Sequence, residues 1–189
     1  MKKEYPKRDD RDLLGKLVSY FSAKIKNLAS LRLVKLVYLT EMAYCLKYNK
    51  RMTAIPYFHW NHGPYSKEIE IAASDVDGKL IRIKEKITQL GDEATVYDPL
   101  ISAEKIELPK DVKDVADEVI KNFGSLTTKE IKEYVYSTSP FKETEKWCLI
   151  NIDCLYSDYQ EDERATFARK KLFQKVIRRG FSPSKVDMC

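Results

Sequence analysis

The stretch RLVKLVYLTEMAYCLKYNKRMTAIPYFHWNHGPYSKEI, residues 32–69, carries most of the structural information in this chain. Its first half repeats apolar residues at three- and four-residue spacing, which predicts a helix over residues 31–48 with Ser30 as its N-cap. The apolar face is so wide that we expect this helix to lie deep in the core. The charged residues expected on its remaining solvent-facing side are Lys35, Glu41 and Lys47.

The second half of the stretch predicts a rigid corner. Residues 56–60 are short and aromatic and predict a strand, and residues 61–64 (NHGP) predict a turn. Gly63 can adopt a positive φ, whereas Pro64 fixes its own φ and pushes Gly63 away from helical geometry. A further helix is predicted to start at Pro64, or at Ser66 as its N-cap, and to continue to residue 73.

The aromatic residues at this corner have two interpretations. They are wedges that lock helix to strand in the core, or they form a rim that binds a partner protein, because Tyr and Trp dominate binding hot spots. The residues in question are Tyr57, Phe58, Trp60 and Tyr65.

The flanking sequence completes a mainly helical α+β fold: a helical core with a short strand and a small β-hairpin. A helix is predicted over residues 12–26, and a hairpin over residues 79–88 and 93–97, with a helix over residues 79–90 as the alternative. Pro109 opens a helix that Gly124 ends. Thr127, followed three residues later by Glu130, predicts a capping box at the start of the next helix.

A length of 189 residues suits one compact domain with small appendages. We predict a flexible arm over residues 1–11 and a domain over residues 12–145. Residues 146–189 are predicted to form an extension in which a basic helix, residues 161–179, packs on the domain. Residues 151–159 are predicted to be a loop or a short strand.

The composition favours a cytoplasmic binding protein over an enzyme. None of the common phosphate-binding, metalloprotease or hydrolase motifs is present in the sequence, so we expect no catalysis and no cofactor. The four cysteines lie far apart except for Cys148 and Cys154, and all are expected to be reduced thiols. No apolar run approaches the roughly 20 residues that span a bilayer, so no membrane partner is expected.

A metal site is not predicted either. His59 and His62 are the only histidines, and an HxxH pair supplies two ligands where a closed zinc site needs four. The alternative is that both rings form hydrogen bonds around the turn at Gly63 and Pro64.

Residues 111–136 resemble a helix-turn-helix, which makes a DNA-binding regulator the alternative function. The second helix also carries Glu130 and Glu133, which phosphates repel. Plain helix packing, and a solvated face for the basic C-terminal helix, are the competing interpretations. The candidate nucleic-acid contacts are Lys129, Lys132, Arg169, Lys170, Lys171, Arg178 and Arg179.

Residues 31–71 resemble the Panacea domain, the SocA-like antitoxin family once described as phage-associated proteins. The family pattern is a KLxKLLYLA-type helix, an aromatic strand with a Trp, and a GPxSxEI turn. Matching residues are Leu33, Lys35, Leu36, Tyr38 and Leu39 in the helix, Tyr57 and Trp60 in the strand, and Gly63, Pro64, Tyr65, Ser66 and Ile69 in the turn.

The resemblance implies an antitoxin that neutralises a cognate toxin by direct contact, or that hands the toxin to a protease as an adaptor. The expected partners are therefore a toxin protein first, a protease second and nucleic acid third. The predicted partner-binding residues are Tyr57, His59, Trp60, His62, Tyr65 and Ser66.

Overall fold

The fold is arranged around one buried helix. The computed structural model describes residues 8–87, 91 and 93–155, without the side chains of residues 8, 9 and 154. In chain order its elements are α1 (Arg8–Lys24), β1 (Leu28–Ala29), α2 (Ser30–Tyr48), β2 (Phe58–Trp60), β3 (Gly63–Tyr65), α3 (Lys67–Asp75), β4 (Ile81–Ile87), β5 (Glu93–Pro99), a 3-10 turn (Ala103–Lys105), α4 (Lys110–Phe123), α5 (Thr128–Tyr136), α6 (Ser139–Lys142) and a second 3-10 turn (Ile152–Leu155).

Helix α2 is the centre of the core, as the width of its apolar face predicts. Every residue from 33 to 46 is buried, and α1, α4, α5, β3 and β5 all pack around the helix. Helix α4 is attached by two short hydrogen bonds, from Tyr44 Oη to Asp111 at 2.6 Å and from Tyr20 Oη to Asp117 at 2.6 Å. The helical core is therefore held by apolar packing and by polar contacts at its margin.

Two small antiparallel sheets flank this core. The first has the strand order β1-β5-β4, and the second is the β2-β3 hairpin. The pairing of β4 with β5, from Ile81 opposite Pro99 to Ile87 opposite Glu93, confirms the predicted hairpin. The alternative helix over residues 79–90 is wrong.

The helix boundaries are close to the predicted ones. The capping box of α5 is present, with Thr127 and Glu130 bonded reciprocally, and Gly124 follows the last residue of α4. Ser66 occupies the N-cap position of α3 without a side-chain capping bond. Ala29, rather than Ser30, occupies the N-cap position of α2, because the helix includes Ser30 as its first residue.

Three predictions at the edges of the fold need correction. Helix α1 begins at residue 8, inside the predicted arm, because Asp10 accepts a hydrogen bond from the Ala54 amide at 3.3 Å and Arg11 pairs with Glu68 at 3.4 Å. Of residues 151–159, predicted as a loop or a short strand, residues 152–155 form a 3-10 turn and residues 156–159 lie outside the described part of the chain. The predicted basic helix over residues 161–179 lies outside the described residues.

The predicted solvent-facing side of α2 is also wrong for two of its three charges. Lys35 is 3% exposed and Glu41 is fully buried. The helical pattern predicts solvent exposure for both residues, because a charged residue on an amphipathic helix usually faces water. Here, neighbouring segments cover both residues and supply hydrogen-bond partners.

Candidate protein-binding surface

The β2-β3 hairpin forms the predicted corner. Its cross-strand pairs are Phe58 with Tyr65, His59 with Pro64 and Trp60 with Gly63. Gly63 has a φ of +100°, and a Cβ atom there would lie 2.9 Å from Lys35 Cε and 3.1 Å from Tyr136 Cε1. The hairpin thus approaches α2 and α5 closely because residue 63 has no side chain.

A later segment joins the hairpin along the other edge of β2. The Trp147 amide donates to the His59 carbonyl at 2.8 Å, and the His59 amide donates to the Cys148 carbonyl at 2.9 Å. The Ile150 amide donates to the Tyr57 carbonyl at 2.7 Å. Strand β2 is therefore bonded on both sides, and residues 147–150 are part of the same surface. No sequence pattern indicated this pairing.

An exposed aromatic patch covers this small sheet. Phe58 and Trp60 are two residues apart on β2 and share one face, and Phe58 pairs with Leu149 across the added edge. Trp60 and Trp147 meet edge to face, with ring centroids 4.5 Å apart and an interplanar angle of 88°. Trp60 is 47% exposed and Trp147 is 49% exposed. We call Phe58, Trp60, Trp147 and Leu149 the corner patch.

The structure separates the two interpretations of the corner aromatics residue by residue. Tyr57 is 1% exposed and packs edge to face on Tyr38 at 5.2 Å, so it is a core wedge. Phe58 and Trp60 are exposed, so the core interpretation is wrong for them. Tyr65 is half-buried, with its hydroxyl donating to Glu70 at 2.9 Å and its ring 5.9 Å from that of Trp60.

The six predicted partner-binding residues therefore do not form one set. Trp60, His62 and Tyr65 line the surface. Tyr57 and Ser66 are buried beneath it. His59 is half-buried; its Nδ1 lies 2.7 Å from the Thr144 carbonyl and its ring 3.9 Å from that of Phe141, so it anchors the hairpin.

A pocket opens beside Trp60, with a volume of about 280 Å³. Its lining residues are Leu31, Lys35, Trp60, His62, Gly63 and Tyr65. Trp60 belongs to both features, so the pocket and the corner patch are continuous. We call this cavity the corner pocket.

Lys35 is the buried charge of the corner pocket. Its Nζ donates to the Pro64 carbonyl at 2.9 Å, the one acceptor assigned to it within the described residues. Burial, with a smaller contribution from the charge of Lys132, lowers the pKa of Lys35 to about 8. A desolvated ammonium that lacks a carboxylate partner accounts for this direction.

Glu41 is the second buried charge of α2, and its carboxylate is fully engaged. It accepts from Arg51 Nε at 2.7 Å, from the Met52 and Thr53 amides at 2.9 and 3.3 Å, and from Thr53 Oγ1 at 2.6 Å. Arg51 also donates to the Ile55 carbonyl at 2.9 Å. This cluster fixes residues 51–55 against α2 and holds the chain that leads into β2.

Two of the predicted nucleic-acid contacts lie in the described part of the chain, and five lie outside it. Lys129 is exposed on α5, next to the exposed acids Glu130 and Glu133. Lys132 is half-buried, with its Nζ 5.6 Å from the centroid of the Tyr136 ring. The remaining candidates, Arg169, Lys170, Lys171, Arg178 and Arg179, lie outside the described residues. The described face of α5 thus carries charges of both signs.

The described part of the chain offers neither a metal-binding cluster nor a membrane-spanning helix. There, no group of three or more His, Cys, Asp or Glu side chains is placed to hold a metal ion. Across residues 8–87, 91 and 93–155, no helix combines the length and the apolar character that crossing a bilayer requires. Cys45 is a buried free thiol and Cys148 an exposed one.

Comparison with known proteins identifies the family. No curated protein and no solved structure matches the chain. The family profile for the antitoxin SocA-like, Panacea domain matches residues 33–142, which is more than half of the 189 residues. This match confirms the resemblance seen in α2 and the β2-β3 corner. The chain therefore belongs to the antitoxin SocA-like family, with its Panacea domain at residues 33–142.

Proposed function

We propose that this chain acts by binding and neutralises a cognate toxin protein by direct contact through the corner patch. Membership of an antitoxin family supports the toxin as partner. The single observation that carries the choice of surface is the pair of half-exposed tryptophans, Trp60 and Trp147, on a sheet whose central strand is bonded on both sides.

The physical case rests on exposure and rigidity together. A contiguous exposed apolar patch on a water-soluble domain is typical of a binding site, and tryptophan is among the residues that most often dominate binding energy. The backbone beneath these rings is fixed by the hydrogen bonds of β2 and by the close approach of Gly63 to Lys35. A preorganised surface loses less conformational entropy when a partner binds.

On this proposal the chain performs no catalytic step, needs no cofactor and meets the toxin in the cytoplasm. Handing the toxin to a protease is the other mode compatible with an antitoxin role. The two modes differ in the fate of the toxin, because direct neutralisation leaves its amount unchanged whereas an adaptor lowers it.

The test is a survival assay. The product of the open reading frame adjacent to this chain's gene is induced in cells that also express the wild-type chain, a Trp60→Ala/Trp147→Ala variant, or an Ile87→Ala control. Ile87 is an exposed apolar residue on the other sheet, so its variant controls for the loss of apolar surface. We expect rescue by the wild type and the control, and none by the double variant.

The affinity of the purified chain for the purified toxin should be roughly 30-fold or more lower in the double variant, because truncating hot-spot residues has effects of this size. Equal thermal unfolding of the three chains would show that the effect is local. Rescue by the double variant at wild-type level would refute the corner patch as the contact surface. A fall in toxin amount beside the wild-type chain would assign the adaptor mode instead.

A further inference from the structure

Lys35 is a buried cation whose hydrogen-bonding capacity is mostly unused. An ammonium group has three donors, and in the described residues Lys35 Nζ has one acceptor, the Pro64 carbonyl at 2.9 Å. The side chain is 3% exposed, and it lines a pocket that opens to solvent beside Trp60. Burying a charge without a counter-ion is costly. A negatively charged group placed next to the ammonium would therefore be stabilised.

The charged group that acts on Lys35 from a neighbouring helix is another lysine. Lys132 on α5 acts on Lys35 by repulsion, and His62 lines the pocket from the hairpin turn. Glu70 on α3 accepts the hydroxyl hydrogen bond of Tyr65, a lining residue, at 2.9 Å. Burial first, and the charge of Lys132 second, lower the pKa of Lys35, and no acidic group of the described residues acts against them.

The size of the corner pocket limits its occupant. Its volume of about 280 Å³ falls just below the range of roughly 300–1,000 Å³ that is typical of small-molecule sites. The wall is mostly apolar, and Leu31, Trp60 and Tyr65 are among its lining residues. The pocket therefore suits one side chain that has an apolar stem and a negative end.

We propose that the corner pocket binds one acidic side chain, glutamate or aspartate, of the partner protein, with the carboxylate paired to Lys35 Nζ. The inference rests on the proposed function, because the acidic residue belongs to the protein that covers the corner patch. The aromatic walls contact the methylene stem, and the ammonium supplies the counter-charge. The C-terminal carboxylate of a partner fits less well, because the backbone amide groups beside it would need hydrogen-bond partners that these apolar walls do not supply.

The experiment uses two displayed libraries of random peptides about twelve residues long and no toxin, so its outcome is independent of the survival assay. In the first library each peptide is fused through its C-terminus, so that side chains supply every peptide carboxylate. In the second the C-terminus is free. Both are selected against the full chain, and the enriched peptides are synthesised with Glu or Asp and with the matching amide.

We expect the first library to yield peptides with an acidic residue beside apolar residues. Replacing that acid by its amide should weaken binding to the wild-type chain by about tenfold or more, the scale of a charge-assisted contact. Lys35→Met, which keeps an unbranched apolar stem, should weaken binding equally and abolish the difference between acid and amide. Lys84→Met, an exposed lysine on β4, is the matched control and should change nothing.

A second measurement requires no variant. In the wild-type chain, the bound acidic peptide should raise the pH at which the Lys35 Cε resonance titrates, and the amide peptide should not. The proposal is overturned if no peptide is enriched, if acid and amide bind equally, if enrichment requires a free C-terminus, or if Lys35→Met still discriminates acid from amide.

Discussion

Helix α2 carries two buried charges six positions apart, Lys35 and Glu41, and they are satisfied very differently. The carboxylate of Glu41 accepts from a guanidinium, two backbone amides and a hydroxyl. The ammonium of Lys35 donates to one carbonyl and lines an open pocket. The charge of Glu41 therefore serves the architecture of the fold, whereas the charge of Lys35 is left available to a ligand.

The difference follows from the cost of burying a charge. A buried polar network stabilises a fold only when each member has its partners. Glu41 meets that condition and fixes residues 51–55. Lys35 does not, and it lies directly under the corner where the aromatic rings are exposed. We infer that the first site stabilises the fold, and that the second gives up stability in a place suited to binding.

The largest effect is expected from Glu41→Ala. This change removes the acceptor of Arg51 Nε and of two backbone amides. Breaking a buried pair in this way costs about 3–5 kcal/mol of unfolding free energy. Urea denaturation measures the loss. The control is Asp98→Ala, which removes the partially exposed pair with Lys84 and should cost about 1 kcal/mol or less. Equal losses would contradict the architectural role of Glu41.

Gly63→Ala should destabilise the corner by about 2–3 kcal/mol, because a side chain would combine a strained positive φ with close contacts to Lys35 and Tyr136. Gly78→Ala is the matched control. Gly78 also has a positive φ, at +72°, but open space surrounds its Cβ position, so about 1 kcal/mol is expected. Equal losses in chemical denaturation would mean that the close approach at Gly63 carries no cost.

The difference in unfolding free energy between the wild-type chain and Lys35→Met should change in favour of the wild type as the pH rises. The pKa of Lys35 is about 8 in the folded chain against an ordinary 10.5, so the unfolded chain binds more protons between these values and stability rises with pH there. Between about pH 7 and about pH 9.5 the wild type should gain roughly 1–2 kcal/mol on the variant. Burial raises the pKa of Tyr57 and of Cys45. Both groups are present in both chains, so their contributions cancel in the difference. A constant difference would place Lys35 in water.

The smallest effect on stability is expected from Trp60→Ala. An exposed ring that contacts Trp147 and Tyr65 should contribute less than about 1 kcal/mol. A core tryptophan would cost about 3–5 kcal/mol. Thermal and urea unfolding distinguish the two values. A loss in the core range would show that the ring packs inside the domain and would remove it from the corner patch.

Local sequence signals predicted the elements of this fold well. Apolar spacing located α2, Thr127 with Glu130 located the start of α5, and Gly63 with Pro64 located the corner. Each signal depends on residues within a few positions of one another, which is why one sequence suffices to read it.

The candidate site depended on contacts between distant segments, so less of it could be predicted. The burial of Glu41 depends on Arg51 and Thr53 folding back onto the helix, and the burial of Lys35 depends on the carbonyl of Pro64. Trp147 reaches Trp60 only because residues 147–150 bond to the free edge of β2. Neither spacing nor residue type indicates such pairings.

The most direct test of the corner as the toxin-binding surface is a hydrogen-exchange footprint. Amide exchange is compared between the chain alone and the chain bound to the product of the adjacent open reading frame. We expect added protection at residues 58–65 and 144–150, and none in β4 and β5. Protection confined to α5, or to the β4-β5 hairpin, would contradict the account and move the interface elsewhere.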